Sequence, residues 1–251
     1  MLNVECSHWL LFNSDPCPPA FNMALDEALL EAMPRLGKPV LRFYRWTEPA
    51  ASFGYFQKFG EVERATLLRP LVRRPTGGGI VPHDADWTYS VAFPSTHDWY
   101  SLAAIDSYHR IHEWLQTAFA RLNIPTDLAP QSRSSRREEA LSEIRNDQSL
   151  LTSAATVVLP GQCFVGHEKF DLLWHGKKIA GAAQRRTRDG LLIQGSVQPP
   201  PLALARTDWQ QAMCDVAHVN WVAFQPDPAL RERAEELAAK KYSQAAFTQK
   251  R

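Results

Sequence analysis

The sequence predicts an α/β protein of the α+β kind, a mixed and largely antiparallel sheet flanked by helices. Three observations lead there. Short apolar runs do not alternate regularly with helical stretches, which disfavours a doubly wound parallel sheet. Residues 170–193 read as successive short strands joined by turns at His175-Gly176 and Arg188-Asp189-Gly190, an antiparallel meander. Neither GxGxxG nor the P-loop pattern GxxxxGK(S/T) occurs.

The elements follow in order. Trp9-Leu10-Leu11-Phe12 is a first strand, and Asp15 to Pro19 a turn. Met23, Leu25, Ala28, Leu29 and Met33 form an apolar stripe and predict a helix over 22–33, with Asn22 as its cap and Gly37 and Pro39 as its stop. Val40 to Trp46 alternates as a strand. Ala51 to Tyr55 is a shorter extended piece that leads into a loop or helix near Gln57. Leu71 to Arg74 and Trp87 to Phe93 are extended, so the glycines between them predict a hairpin with a wide loop. Ile105, Tyr108, Ile111, His112, Leu115 and Phe119 at helical spacing predict a long helix over 102–122, ended by Asn123 to Pro125. Residues 129–150 are polar and charged, which predicts an exposed connection with a short helix near 138–144. Apolar patterning resumes at Ala154 to Leu159 and runs into the meander, with strands over 170–174, 178–184 and 191–193. Two amphipathic helices, near 207–219 and 228–240, follow. The expectation is one catalytic domain over 1–251 with a polar insertion near 129–150.

Composition narrows the class of function. The 251 residues are 45% hydrophobic and 22% charged, with a formal net charge of +1. That balance fits an ordinary soluble domain and gives a nucleic-acid partner no support. No run approaches the roughly 18 apolar residues of a membrane span. The start MLNVECSHWLLF lacks a basic leader and a small-residue cleavage site, so the expected location is the cytoplasm, with no membrane partner. Cys6, Cys17, Cys163 and Cys214 are widely spaced with no CxxC pair. The expectation is reduced thiols and no metal site.

Three segments carry chemistry. The first is Arg73-Arg74-Pro75-Thr76-Gly77-Gly78-Gly79-Ile80-Val81-Pro82-His83-Asp84. Consecutive glycines let a ligand approach the main chain, whose N–H groups hold a phosphate or carbonyl oxygen, and Arg74 supplies a charge for an acidic group. The bland alternative is a flexible hairpin turn. His83 and Asp84 either hold the loop by hydrogen bonds or, with a nucleophile nearby, supply a base. The second segment is Gly176-Lys177-Lys178-Ile179-Ala180-Gly181-Ala182-Ala183-Gln184. Adjacent lysines on a strand face opposite ways. One therefore meets solvent and the other a pocket, unless both sit on an exposed turn. The third is Cys163 in Pro-Gly-Gln-Cys-Phe, either a small buried hydrophobe or an acyl-accepting thiolate.

RRPTGGGIVPHD followed by Trp87-Thr88-Tyr89-Ser90 resembles the first signature of the lipoate-protein ligase and octanoyltransferase family, which is related to biotin protein ligases. GKKIAGAAQ resembles the second signature, and Phe21 to Glu27 resembles the family's first helix. The resemblance implies the mixed-sheet catalytic domain of those enzymes. It also implies a medium-chain acyl or lipoyl group that ends in amide linkage on a lysine. The implied acceptor is a lipoyl-accepting protein, either the glycine-cleavage H protein or a 2-oxoacid dehydrogenase E2 domain. By position, Arg74, Gly77, Gly78 and Gly79 would line the ligand site and His83 and Asp84 would support it. Lys178 would contact the acyl carbonyl or the adenylate phosphate, and Gly181 and Gln184 would complete the wall. Chain length and the Cys163-Phe164 pair resemble the cysteine-dependent octanoyltransferases. That branch implies octanoyl-acyl carrier protein as donor, Cys163 as nucleophile and no required cofactor. The ligase alternative implies ATP and Mg2+; a second alternative is a non-catalytic acyl or lipoyl-domain binding protein. Two features depart from the pattern. Gln194-Gly195-Ser196 stands where the family shows His-Gly, and Gly166-His167-Glu168-Lys169 replaces a proline-containing loop.

Overall fold

The computed structural model describes residues 8–130, 166–200 and 202–250. Among them eleven strands form two sheets. They are β1 (His8–Asn13), β2 (Val40–Tyr44), β3 (Ala50–Phe53), β4 (Leu71–Arg73), β5 (Val81–His83), β6 (Trp87–Pro94), β7 (Asp127–Leu128), β8 (Leu172–Trp174), β9 (Lys177–Thr187), β10 (Gly190–Val197) and β11 (Asn220–Ala223). The larger sheet has the order β11-β1-β2-β6-β10-β9-β8-β7, the smaller β4-β3-β5. In the larger sheet β1 runs parallel to β11 and to β2, and every other pairing is antiparallel. The mixed, largely antiparallel class is therefore observed.

Alternation along the strands feeds two apolar layers. Leu41, Val91, Phe93, Leu191 and Ile193 pack on one face beneath α4 (Ala104–Arg121) and α5 (Arg206–Asp215). Their neighbours Val40, Ala92 and Leu192 pack on the other beneath α1 (Pro19–Leu36) and α6 (Pro228–Leu237). A third cluster, Ala51, Phe53, Val62 and Ile80, joins the small sheet to α2 (Phe59–Ala65). The short helices α3 (Asp98–Ser101) and α7 (Ala245–Thr248) complete the elements used below. Among the described residues no helix is long and apolar enough to cross a membrane.

Several boundaries differ from expectation for identifiable reasons. Helix α1 begins at Pro19, whose fixed φ suits a first helical position. Asn22 is not its cap. Its buried carboxamide donates to the carbonyls of Cys17 and Arg45, both at 3.0 Å, and accepts from Arg42 at 2.6 Å. The stop is as read: Gly37 is left-handed at φ 63° and its N–H bonds the Met33 carbonyl. Helix α4 starts two residues later than expected, at Ala104, and Ile105 is 47% exposed rather than part of the stripe. The expected glycine hairpin does not form. β4 and β5 do not pair with each other; both flank β3, and β6 lies in the other sheet. The strand expected from Phe170 begins at Leu172, because Phe170 adopts φ 71°. In the tail, residues 220–223 form β11, which adds a parallel edge strand. The second tail helix widens at Ala238–Tyr242 into a π-helical turn. The stretch beyond Pro130, the helix near 138–144, Ala154 to Leu159 and Cys163-Phe164 lie outside the described residues.

Candidate active site

A narrow cleft opens between the small sheet and the centre of the large one. The glycine segment and the lysine strand, about a hundred residues apart, both reach it. Arg74, Gly78 and His83 line one side; Gly181, Ala182 and Ala183 line the other. Met23, Val81 and Trp46 make much of the remaining wall apolar. An apolar cleft with a few convergent polar groups suits a ligand that is mostly hydrocarbon.

The glycine wall depends on a close backbone approach. Gly54, just after β3, passes so near the loop that a Cβ there would lie 2.0 Å from the Gly78 carbonyl oxygen. Gly78 itself holds φ 86°, a conformation that L side chains rarely adopt. The two arginines have separate jobs. Arg73 is fully buried and donates to the carbonyls of Tyr55, Gln57 and Thr248, tying the loop's base to the end of α7. Arg74 faces the cleft. Its Nη2 donates to the Gly77 and Gly79 carbonyls at 2.9 and 2.8 Å, and its Nη1 donates to Ser52 Oγ at 2.8 Å. Gly77 and Gly79 thus shape the loop through carbonyls bound to Arg74.

His83 is buried, and its partner is Asp86 rather than Asp84. Asp84 is exposed, because the chain after β5 turns it outward. His83 Nδ1 lies 2.9 Å from Asp86 Oδ2, and Nε2 lies 2.6 Å from Ser52 Oγ. A carboxylate only accepts, so Nδ1 carries a proton toward Asp86, and Nε2 shares a hydrogen bond with the Ser52 hydroxyl. Asp86 also accepts from Thr88 and Ser196, and the His83 ring stacks on Trp46 at 3.9 Å. A chain of buried hydrogen bonds therefore runs Asp86–His83–Ser52–Arg74 and ends on the glycine loop.

Gln194 explains one departure from the family pattern. Its amide nitrogen donates to Asp26 Oδ2 at 2.7 Å and its oxygen accepts from Thr76 at 2.8 Å. An amide satisfies both neighbours at once. Asp26 also accepts from Arg42, Ser90 and Tyr44, and the Arg42–Asp26 pair is fully buried. Burial pushes the Tyr44 hydroxyl well above its ordinary range, and the Asp26 charge pushes it further, so it stays a donor.

On β9, Lys177 is exposed while the Lys178 side chain is 5% exposed, and the cleft is lined there by Gly181, Ala182 and Ala183 rather than by Lys178 itself. The Lys178 ammonium lies 2.7 Å from Asp171 Oδ2. Its stem runs beside Gly181, where a Cβ would sit 2.9 Å from Lys178 Cε. Gln184 points away from the cleft. It donates to the Ala104 carbonyl and accepts from Ser107, binding β9 to α4. The sequence reading missed Ser52, Asp86, Asp171 and Tyr108. Of these, only Asp86 carried a local sign, an acid three residues after His83.

Cys163 lies outside the described residues. Of the described cysteines, Cys214 is a poor nucleophile, since burial, with help from Asp215, pushes its thiol up to about 12. Among the described residues no three His, Cys, Asp or Glu side chains gather to hold a metal ion.

Comparison with known proteins places this geometry. Residues 18–198 match the family described as the lipoyl protein ligase A/B catalytic domain. The octanoyltransferase LipM of Geobacillus kaustophilus is 36% identical over 195 residues, covering 75% of this chain and 64% of that protein. LipM of Anoxybacillus flavithermus is 35% identical over 200 residues, covering 77% and 66%. The chain thus spans just under two thirds of the length of these relatives. In fold it is similar to a lipoate-protein ligase A bound with ATP, with a TM-score of 0.69 at 20% identity, covering 97% of this chain and 98% of the other. It is also similar to a chain from the bipartite lipoate protein ligase of Thermoplasma acidophilum, studied with its E2 lipoyl domain. The TM-score there is 0.65 at 18% identity, with 98% and 97% coverage. With the two signatures on facing walls of one cleft and the family match running across both, this chain belongs to the lipoyl protein ligase A/B catalytic-domain family.

Proposed function

We propose that this chain transfers an octanoyl or lipoyl group from an acyl-carrier-protein thioester to a lysine of a lipoyl-accepting protein, through an acyl-cysteine at Cys163. The observation that carries the reading is the apolar cleft flanked by the glycine loop and the lysine strand. The 36% and 35% identity to LipM octanoyltransferases supports the choice of donor.

The chemistry balances without an added reactant. The Cys163 thiolate attacks the thioester carbonyl, a new C–S bond forms, and the carrier leaves as its thiolate. The acceptor lysine, as free amine, then attacks the acyl-cysteine. A C–N bond forms, the Cys163 thiolate leaves, and the amine's proton goes to solvent or to that thiolate. Each attack develops negative charge on the carbonyl oxygen. The Lys178 ammonium, fixed before the substrate arrives, is suited to stabilise it. Met23, Val81, Ala182 and Ala183 offer the acyl chain an apolar bed. The likeness to a ligase studied with an E2 lipoyl domain supports a lipoyl domain as acceptor.

The test is intact-mass measurement after incubation with octanoyl carrier protein. Wild type is expected to gain one octanoyl group, and Cys163→Ala none. Transfer that survives in Cys163→Ala overturns the covalent route. Pyrophosphate release that requires ATP and lipoate would instead identify a ligase.

A further inference from the structure

We propose that Asp171 is a positioning residue that pins the Lys178 ammonium beside Gly181, a residue of the cleft wall, with Tyr108 and the turn at 168–171 holding Asp171 in place. This rests on the reading that Lys178 acts on the acyl carbonyl.

Both carboxylate oxygens of Asp171 are engaged. Oδ2 faces the Lys178 ammonium at 2.7 Å and accepts the Glu168 backbone N–H at 2.6 Å. Oδ1 accepts the hydroxyl of Tyr108, which reaches across from α4. Asp171 is fully buried. The backbone that delivers it is unusual. Phe170 sits at φ 71°, an outlying conformation for an aromatic residue. Its ring stacks on His109 at 3.9 Å, and its N–H bonds the Ala129 carbonyl. The Asp171 carbonyl accepts the Ala129 N–H at 2.8 Å, and the Asp171 N–H bonds the Glu168 carbonyl. Strain of this kind persists only where surrounding contacts over-determine it, and it clusters at functional sites. The turn contains the Glu168 and Lys169 that depart from the family's loop.

Stability alone does not account for this arrangement. A buried ion pair is commonly no better for stability than well-packed apolar side chains of the same volume. It does fix a position. A lysine stem has four rotatable bonds, and one carboxylate at one end removes most of that freedom. Gly181 leaves the stem room to lie flat beside the strand, and Gly181, Ala182 and Ala183 line the cleft. Beneath Tyr108, His112 donates from Nδ1 to the Tyr108 carbonyl at 2.8 Å. Burial pushes His112 down to about 4, so near neutral pH it adds no cation to compete for Asp171. The result is a preorganised charge rather than one that must be ordered during the reaction.

The test uses the full chain, octanoyl carrier protein and a lipoyl-domain acceptor. Asp171→Asn keeps the shape and removes the counter-charge. Its kcat is expected to fall about tenfold or more with KM for the donor nearly unchanged, the signature of lost transition-state stabilisation. Asp171→Glu is expected to recover part of that loss, and Tyr108→Phe to lose a few-fold. Thermal unfolding identifies which variants fold. If Asp171→Asn does not, Asp171→Glu and Tyr108→Phe carry the test. Folded variants with wild-type kcat, or with losses only in KM, overturn the proposal. Adduct formation on wild-type Cys163 is scored separately, so failure of the covalent route is distinguishable. If wild type shows ATP-dependent ligation instead, the same variants are read in that assay. Inactivity of wild type in both assays removes the proposal together with the reading it rests on.

Discussion

The loop at 77–79 and the strand β9 face each other across one cleft, yet main-chain contacts set the first and side-chain charge sets the second. Gly54 and Gly78 meet backbone to backbone, and Arg74 ties down the loop carbonyls. Lys178 is held at its far end by a carboxylate seven residues earlier, which is itself held by a tyrosine from another layer. Main chain packed against main chain yields little, so an error where Gly54 meets Gly78 should register as lost stability. A long side chain packed beside a wall of small residues yields easily, so an error there should register as lost activity.

The largest expected effect is that of Gly54→Ala. A new methyl 2.0 Å from a carbonyl oxygen must displace main chain. We expect a loss of about 3 kcal/mol or more, read from denaturant unfolding. A variant with an unchanged midpoint would break the view that this wall is fixed by backbone.

Next comes the pH dependence of the layer behind the lysine strand. Burial lowers His112 from 6.5 to about 4, against a smaller upward pull from its bond to the Tyr108 carbonyl. The unfolded chain therefore takes up this proton first as pH falls. The contribution to stability is fully present above about pH 6.5. It is lost progressively down to about pH 4, by roughly 3 kcal/mol in all. Unfolding measured from pH 7 to 4 should show that slope, and His112→Asn should flatten it. Glu27 adds to the acid side. Burial alone would raise its carboxyl, but Lys241, Tyr242 and Arg185 together hold it below the ordinary range. Its contribution is present above its unfolded pKa near 4.5 and is lost as pH falls through the lower folded value.

A sharper contrast comes from Gly181→Ala. Its Cβ meets only the end of the Lys178 side chain, at 2.9 and 3.0 Å, apart from ordinary contact with Asp171. Stability should change by less than about 1 kcal/mol while transfer falls about tenfold, because the ammonium is displaced. Equal losses in both would blur the distinction between the walls. The smallest effect belongs to Gly77→Ala. Nothing lies within 4 Å of its Cβ position, and unfolding should move by no more than about 0.5 kcal/mol.

Much of this molecule was legible along the chain. The periodicity of Ile111, Leu115 and Phe119, the stop at Gly37 and the turn at His175-Gly176 are local signals, and the structure repeats them. The strands of the meander were likewise present in the alternation, though β9 and β10 run longer than read because their ends pair with each other. The two signatures were legible as well, since glycines and a paired lysine are uncommon enough to stand out.

Tertiary structure decided the partners. That β3 would take both β4 and β5, and that residues 220–223 would return to pair with β1, follows from sheet packing across long stretches of chain. A local pattern carries no address for such a partner. The same holds in the site. Sequence set His83 beside Asp84, but the backbone turned Asp84 to solvent and brought Asp86 and Ser52 to the ring. Lys178 was found by its motif, whereas Asp171 and Tyr108 were ordinary residues until folding brought them together. By itself the sequence determined the kinds of element and the residues with unusual chemistry, because these depend on side chains near in sequence. Only the fold decided which of them meet, because a buried charge takes its partner from whatever the packing of distant elements places within reach.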